Sequence, residues 1–62
     1  MPEVGDKIRI IFMNDIRGAD YIGREGVVTS VSIDPWGDTR IAGTWGMPLY
    51  PSAGDEFEIL SA

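Results

Sequence analysis

The side chains that most often carry chemistry are scarce in this chain. It has no histidine and no cysteine, so neither the commonest general base nor a thiolate nucleophile is present. A structural zinc would lack its preferred ligands. Ser30 and Ser32 lie in a β-rich run with no activating group at a suggestive spacing. Carboxylates are more plentiful: Asp34 and Asp38 flank a turn, and Glu56 and Glu58 alternate in the last apolar run. Such oxygens suit calcium, but no Asp-rich loop has the EF-hand spacing. Paired carboxylates also serve acid–base catalysis, which needs a pocket that shifts a pKa and excludes water. A chain of 62 residues leaves little room for one. The expectation is a protein that is not an enzyme and holds neither metal nor cofactor.

What remains is the chemistry of binding. Asp15 and Asp20 share the segment 14–26 with Arg17 and Tyr21. In a loop of that kind, acids can pair with Lys or Arg of a proline-rich ligand beside an aromatic groove, and Tyr21, Trp36, Trp45 and Tyr50 could line it. The competing assignment is solvated acids and aromatics that fill a small core. Trp36 stands apart because it falls at a turn tip, where burial is hard to arrange. An exposed Trp suits an interface anchor; the alternative folds it back over its own hairpin. Trp45 follows a strand and suits a structural place at a barrel rim. The expected surface is therefore Asp15, Arg17, Asp20, Tyr21, Trp36, Trp45 and Tyr50, facing an unidentified protein partner, with a homo-oligomer among the options.

The second reading is nucleic-acid binding through Arg9, Arg24 and Arg40 with aromatic stacking. Five Lys and Arg against ten Asp and Glu give a net charge of −5. That field repels phosphate backbones and anionic membranes alike, and makes nucleic acid an unfavourable partner. No apolar run approaches the roughly 18–20 residues of a membrane span. The opening MPEVGDK lacks the basic-then-apolar order of a signal peptide, so the expected location is cytoplasmic.

These residues need a scaffold. One domain of this size buries only about 60% of its unfolded surface. Without disulfides, stability has to come from a tight β core or from association. A hydrophobic content of 44% argues against disorder. Gly and Pro punctuate the chain at short intervals, with β-rich runs between them. Residues 6–13, DKIRIIFM, predict a strand with Ile8, Ile10 and Phe12 facing the core, and Ile11 and Met13 outside or under a loop. Residues 14–26 predict a long loop with Ile16, Tyr21 and Ile22 folded back; loops beyond about 12 residues are often functional. In the run 26–33, GVVTSVSI, strict alternation groups Val27, Thr29, Val31 and Ile33. A bulge near Thr29 and Ser30 would instead place Val28 and Val31 inside. DPWGD, 34–38, is a hairpin turn with Pro35 presetting φ and Gly37 free to go left-handed. Strands follow at 39–45 and 47–50, the latter at an edge because of Pro48. A turn at 51–55, read as a single 3₁₀ turn, leads to a last strand at 56–60 with Phe57 and Ile59 alternating against Glu56 and Glu58. The whole describes an all-β, SH3-like five-stranded small barrel over residues 1–62; an OB-like barrel is the rival, but usually needs more residues.

The stretches VGDKIRI, GREGVV, GTWG and DEFEIL together resemble a small SH3-like family of bacterial and phage genomes, known chiefly as a domain of unknown function. Gly5, Asp6, Met13, Asp15, Gly23, Gly26, Val28, Trp45, Pro51, Asp55, Phe57 and Leu60 fall at matching places, across nearly all of residues 4–60. The resemblance implies the fold and carries no activity. GREGVV also resembles, more loosely, the glycine loop of KOW-type domains, which contact RNA or protein; here Arg24 alone supplies positive charge beside it. Gly23 and Gly26 are expected to provide the backbone angles of a tight turn into the strand.

Overall fold

The computed structural model describes residues 2–61. Four strands form one antiparallel sheet: β1 (Lys7–Phe12), β2 (Glu25–Ile33), β3 (Thr39–Gly43) and β4 (Glu56–Ser61), in the order β3-β2-β1-β4. Two 3₁₀ turns, Gly18–Asp20 and Pro51–Ala53, are the only helical pieces among the described residues. No helix there is long and apolar enough to cross a membrane.

The sheet turns a corner through β2. Its first residues pair with β1, with Lys7 opposite Val27 and Arg9 opposite Glu25. From Val28 onward it pairs with β3 instead. At the change of partner Val28 faces Gly43 and Ser30 faces Ala42, so Thr29 is an extra residue. A bulge of this kind bends the strand and increases its twist. It also settles the two readings of GVVTSVSI: Val28 is buried and Val31 packs against the core, while Val27 and Ile33 are exposed. The core is Ile8, Ile10, Met13, Val28, Ile41, Trp45 and Leu49, with Tyr21, Val31, Met47 and Phe57 packed around it.

The five-stranded closed barrel expected from the sequence is not what forms. Residues 47–50 contribute one bridge, in which Ile41 and Leu49 exchange backbone hydrogen bonds of 2.9 and 2.8 Å. Pro48 has no N–H, so a ladder cannot extend through it. β3 and β4 remain the two edges of the sheet, and the strand expected to run to residue 45 ends at Gly43. A second correction concerns β1. Ile8 and Ile10 are buried as alternation predicts, but Phe12 is exposed and Met13 is buried. Ile10 lies opposite Phe57 and Phe12 opposite Glu56, so Ile11 is an extra residue and the inward face changes parity beyond it.

The segment after β1 is ordered by its backbone more than by its apolar side chains. Gly23 N–H donates to the Ile10 carbonyl at 2.8 Å and Ile10 N–H to the Arg24 carbonyl at 2.9 Å. Gly18 is buried so closely against Met13, the residue after β1, that a Cβ there would overlap the Met13 carbonyl oxygen. Tyr21 packs on the core as expected, whereas Ile16 is 98% exposed and Ile22 is exposed too. The close approach of a glycine, rather than an isoleucine, fastens this loop.

Candidate functional site

The turn between β2 and β3 presents the most exposed aromatic side chain. Gly37 N–H donates to the Asp34 carbonyl at 3.0 Å, and Asp34 N–H to the Asp38 carbonyl at 2.9 Å. The Asp34 carboxylate accepts from the backbone N–H of Trp36 and of Asp38, both at 2.9 Å. Gly37 takes φ +87°, the left-handed residue that completes a three-residue hairpin loop. Every turn of the chain here is held by a hydrogen bond, and Trp36 stands on that platform 84% exposed. It does not fold back over its own hairpin. Ile33, at the same end of β2, is 71% exposed.

Beside this turn, a half-open groove of about 450 Å³ occupies the gap left by the unclosed barrel. Thr39 and Ile41 of β3 form one wall and Phe57 of β4 another, with Pro2, Gly37, Pro51 and Ser52 around them. The 3₁₀ turn that brings Pro51 and Ser52 there closes through Ala53 N–H to the Tyr50 carbonyl at 2.9 Å. Ser52 Oγ donates to Asp38 Oδ1 at 2.9 Å, tying the turn to the hairpin. The surroundings are apolar with one carboxylate at the rim.

The other expected surface residues lie elsewhere. Tyr21 is half-buried, with the Arg24 guanidinium 4.4 Å above its ring centroid. Arg24 also donates to the Asp20 carbonyl and, through Nη1, to the Trp45 carbonyl, both at 3.1 Å. Asp15 accepts from Arg17 N–H at 2.9 Å and so shapes its own loop; the side chains of Asp15, Arg17 and Asp20 are exposed. Tyr21 and Arg24 sit beyond the Gly43 end of β3, beside Trp45 and Gly46, and Trp36 lies at the Thr39 end. A five-residue strand separates them, roughly 16 Å at strand rise. The surface expected to be continuous is thus divided. Trp45 leaves the candidate surface altogether: it is 3% exposed, and its indole N–H donates to the Met47 carbonyl. Gly26 and Gly43 make room for it. A Cβ on Gly43 would overlap the indole, and one on Gly26 would lie 2.7 Å from Thr44 Oγ1 and 3.0 Å from the ring. Gly23 has the positive φ expected of it, at +88°, but Gly26 does not; its role is space for Trp45. Tyr50 is half-buried beside the 3₁₀ turn.

The arginines of the nucleic-acid reading are also dispersed. On the outer face of the sheet, Arg9 reaches Glu58 at 2.7 Å and Glu25 at 3.1 Å, and Lys7 reaches Glu25 at 3.4 Å. The hydrogen bond from Arg9, reinforced by one from Lys7, holds the Glu25 carboxyl below its ordinary range, and Glu25 in turn raises Arg9. Arg24 is committed to Tyr21 and two carbonyls. Arg40 is half-buried on β3, opposite Ser32. Among the described residues no three acids converge where a metal ion could sit.

Sequence reasoning did not foresee two things. Asp55 is 8% exposed, and its carboxylate accepts from Asn14 N–H at 2.6 Å and Tyr50 N–H at 2.8 Å. An acid immediately after a Gly turn and before a strand was the available signal. The groove had none, because its walls come from four separated stretches of chain. Comparison with protein-family models, with curated proteins and with solved structures finds no match to this chain.

Proposed function

We propose that this chain is a small, non-catalytic binding module of SH3-like build that engages a protein partner through the β2–β3 turn and the groove beside it. The SH3-like reading draws support from a strand shared around a corner, a long segment after β1, and a 3₁₀ turn directly before the last strand. The binding reading rests on one observation: Trp36, 84% exposed, stands on a fully hydrogen-bonded turn whose next residue lines an apolar groove. A large aromatic on a rigid platform loses little conformational freedom on docking and is the side chain most often found at interface hot spots.

Nucleic-acid binding draws less support. Arg9 is offset by two carboxylates and Arg24 is spent on the fold, which leaves no cationic stripe for a phosphate backbone.

The test is Trp36→Ala in affinity capture from the native host, scored by mass spectrometry, with sedimentation in parallel. The fold should be unchanged, since a surface substitution of this kind shifts stability within about 0.5 kcal/mol. Partner recovery should fall sharply. Unchanged recovery and unchanged sedimentation would remove the turn from the interface.

A further inference from the structure

Resting on the reading of the groove as a partner site, we propose that the free edge of β4 accepts an added β-strand from a cationic protein, an extended segment that alternates apolar residues with Lys or Arg. β4 pairs with β1 on one side, and among the described residues nothing pairs with its other side. The register fixes which backbone groups that edge presents. The Ile10 N–H donates to the Arg24 carbonyl and the Ile10 carbonyl accepts from the Gly23 N–H, both toward β2. Phe57 lies opposite Ile10 on the β4 side, so the two form a non-hydrogen-bonded pair. The N–H and C=O of Phe57 therefore point to the open side. Ile59, two residues on and opposite Ile8, repeats that direction. Such an edge is a template for a further strand, and natural chains commonly blunt it with Lys, Pro or a very short length. β4 runs for six residues, EFEILS, with neither Lys nor Pro.

The side chains of β4 set the chemistry of the added strand. A residue opposite Phe57 exchanges both backbone bonds with it and shares its face of the sheet. Phe57 packs against the core and lines the groove. An apolar side chain at that position thus enters the groove, beside Thr39 and Pro51. The residues on either side of it fall on the other face, opposite Glu56 and Glu58, both of which are exposed. Lys or Arg there makes opposite-charge cross-strand pairs, and an acid there makes destabilising ones. The same rule disfavours a second copy of this chain. Two β4 edges paired about Phe57 would set Glu56 against Glu58 twice, in chains that each carry a net charge of −5. Charge selects a basic strand and turns away the chain's own.

The probe is a capped synthetic peptide of alternating Lys and Val, about eight residues long to match a strand, added to the isotopically labelled intact chain. In the free chain the Phe57 and Ile59 amides should exchange quickly with deuterium. The peptide should slow both and shift their resonances, and its binding should weaken as salt is added. A peptide with Glu for every Lys should bind at least about tenfold more weakly. The Glu56→Lys, Glu58→Lys double variant should reverse that preference. N-methylation of the Val residues removes the donors that face β4 and should abolish binding. N-methylation of the Lys residues, whose N–H groups face away, should preserve it. Protection of the Phe57 and Ile59 amides in the free chain overturns the proposal, since the edge is then already covered. So does the absence of any change at roughly 1 mM peptide, the dissociation constant of a very weak complex. Equal binding of the Lys and Glu peptides, or of the two methylated ones, overturns it as well. If the edge takes no peptide yet Trp36→Ala loses its captured partner, strand addition fails and the turn remains the interface. If the peptide binds as described and capture by Trp36→Ala is unaffected, the edge stands and the turn does not.

Discussion

Asp55 shows how much one side chain can hold in a domain this small. Its two carboxylate oxygens accept from the backbone of Asn14 and of Tyr50, joining the end of β1 to the segment that precedes the last 3₁₀ turn. Charge-assisted bonds of this kind contribute more than neutral ones, and their loss strands two N–H groups where water is scarce. Asp55→Ala should lower unfolding stability by about 3 kcal/mol, measured by urea denaturation. Asp55→Asn should recover only part of that, because an amide offers one acceptor where two are needed. The Arg9–Glu25 contact acts at the same scale and gives a pH dependence. Glu25 titrates lower in the folded chain than in the unfolded one. Its contribution is therefore complete above the ordinary Glu pKa and is lost as pH falls through the depressed folded value. Thermal midpoints measured from pH 7 down to pH 3, around and below the roughly 4.3 of a free Glu, should fall less steeply in Arg9→Met than in the wild type. Equal slopes would show that the contact has no energetic role. Asp55 was visible in the sequence as an acid of unassigned purpose; its two partners, 41 and 5 residues away, were not.

At the scale of elements, bulges decide which side chains face inward. Period-two alternation placed Ile8 and Ile10 correctly and then failed at Phe12, because Ile11 is an extra residue relative to β4. The same device at Thr29 turns β2 from one partner to the other. A bulge is a property of a pair of strands, so a single strand's pattern can suggest one without locating it. The turn at residues 34–38 and the 3₁₀ turn at Pro51 were legible, since Pro and Gly act through local backbone geometry. Packing between elements was not. Gly43 lies opposite Val28 at the far end of the β2–β3 hairpin, where the Trp45 ring covers it. Gly43→Ala should push the indole out of the core and cost about 3 kcal/mol, with a red shift of Trp emission in the folded state. A blue-shifted emission retained at wild-type stability would show that the ring has room to move.

For the whole molecule, the decisive feature is that the sheet does not close. One bridge at Leu49 stands where a fifth strand was expected, and the gap between β3 and β4 becomes the groove. Failure to close therefore supplies the concave surface that a packed small barrel would lack. The same openness leaves a modest core of seven buried apolar side chains. Charge acts at this scale as well. With Lys7 and Arg9 paired to acids and Arg24 pinned to the loop, the rest of the surface is predominantly acidic. A protein partner of this surface would be selected for positive charge, and its complex would loosen in salt.

The sequence by itself determined the class of structure and the missing chemistry. Alternating apolar runs broken by Gly and Pro can only build β structure, and a chain without His or Cys lacks the side chains that most enzymes and zinc sites require. Tertiary structure alone decided which residues share a surface. It sent Trp45 inward and left Trp36 outside, although both are tryptophans beside a glycine turn. It separated Tyr21 from Trp36 by the length of β3. It assembled a groove from Pro2, Ile41, Pro51 and Phe57, which no local pattern connects. The physical reason is range: turns and strand propensity depend on a few neighbouring residues, whereas burial and pocket shape depend on contacts between segments far apart in the chain.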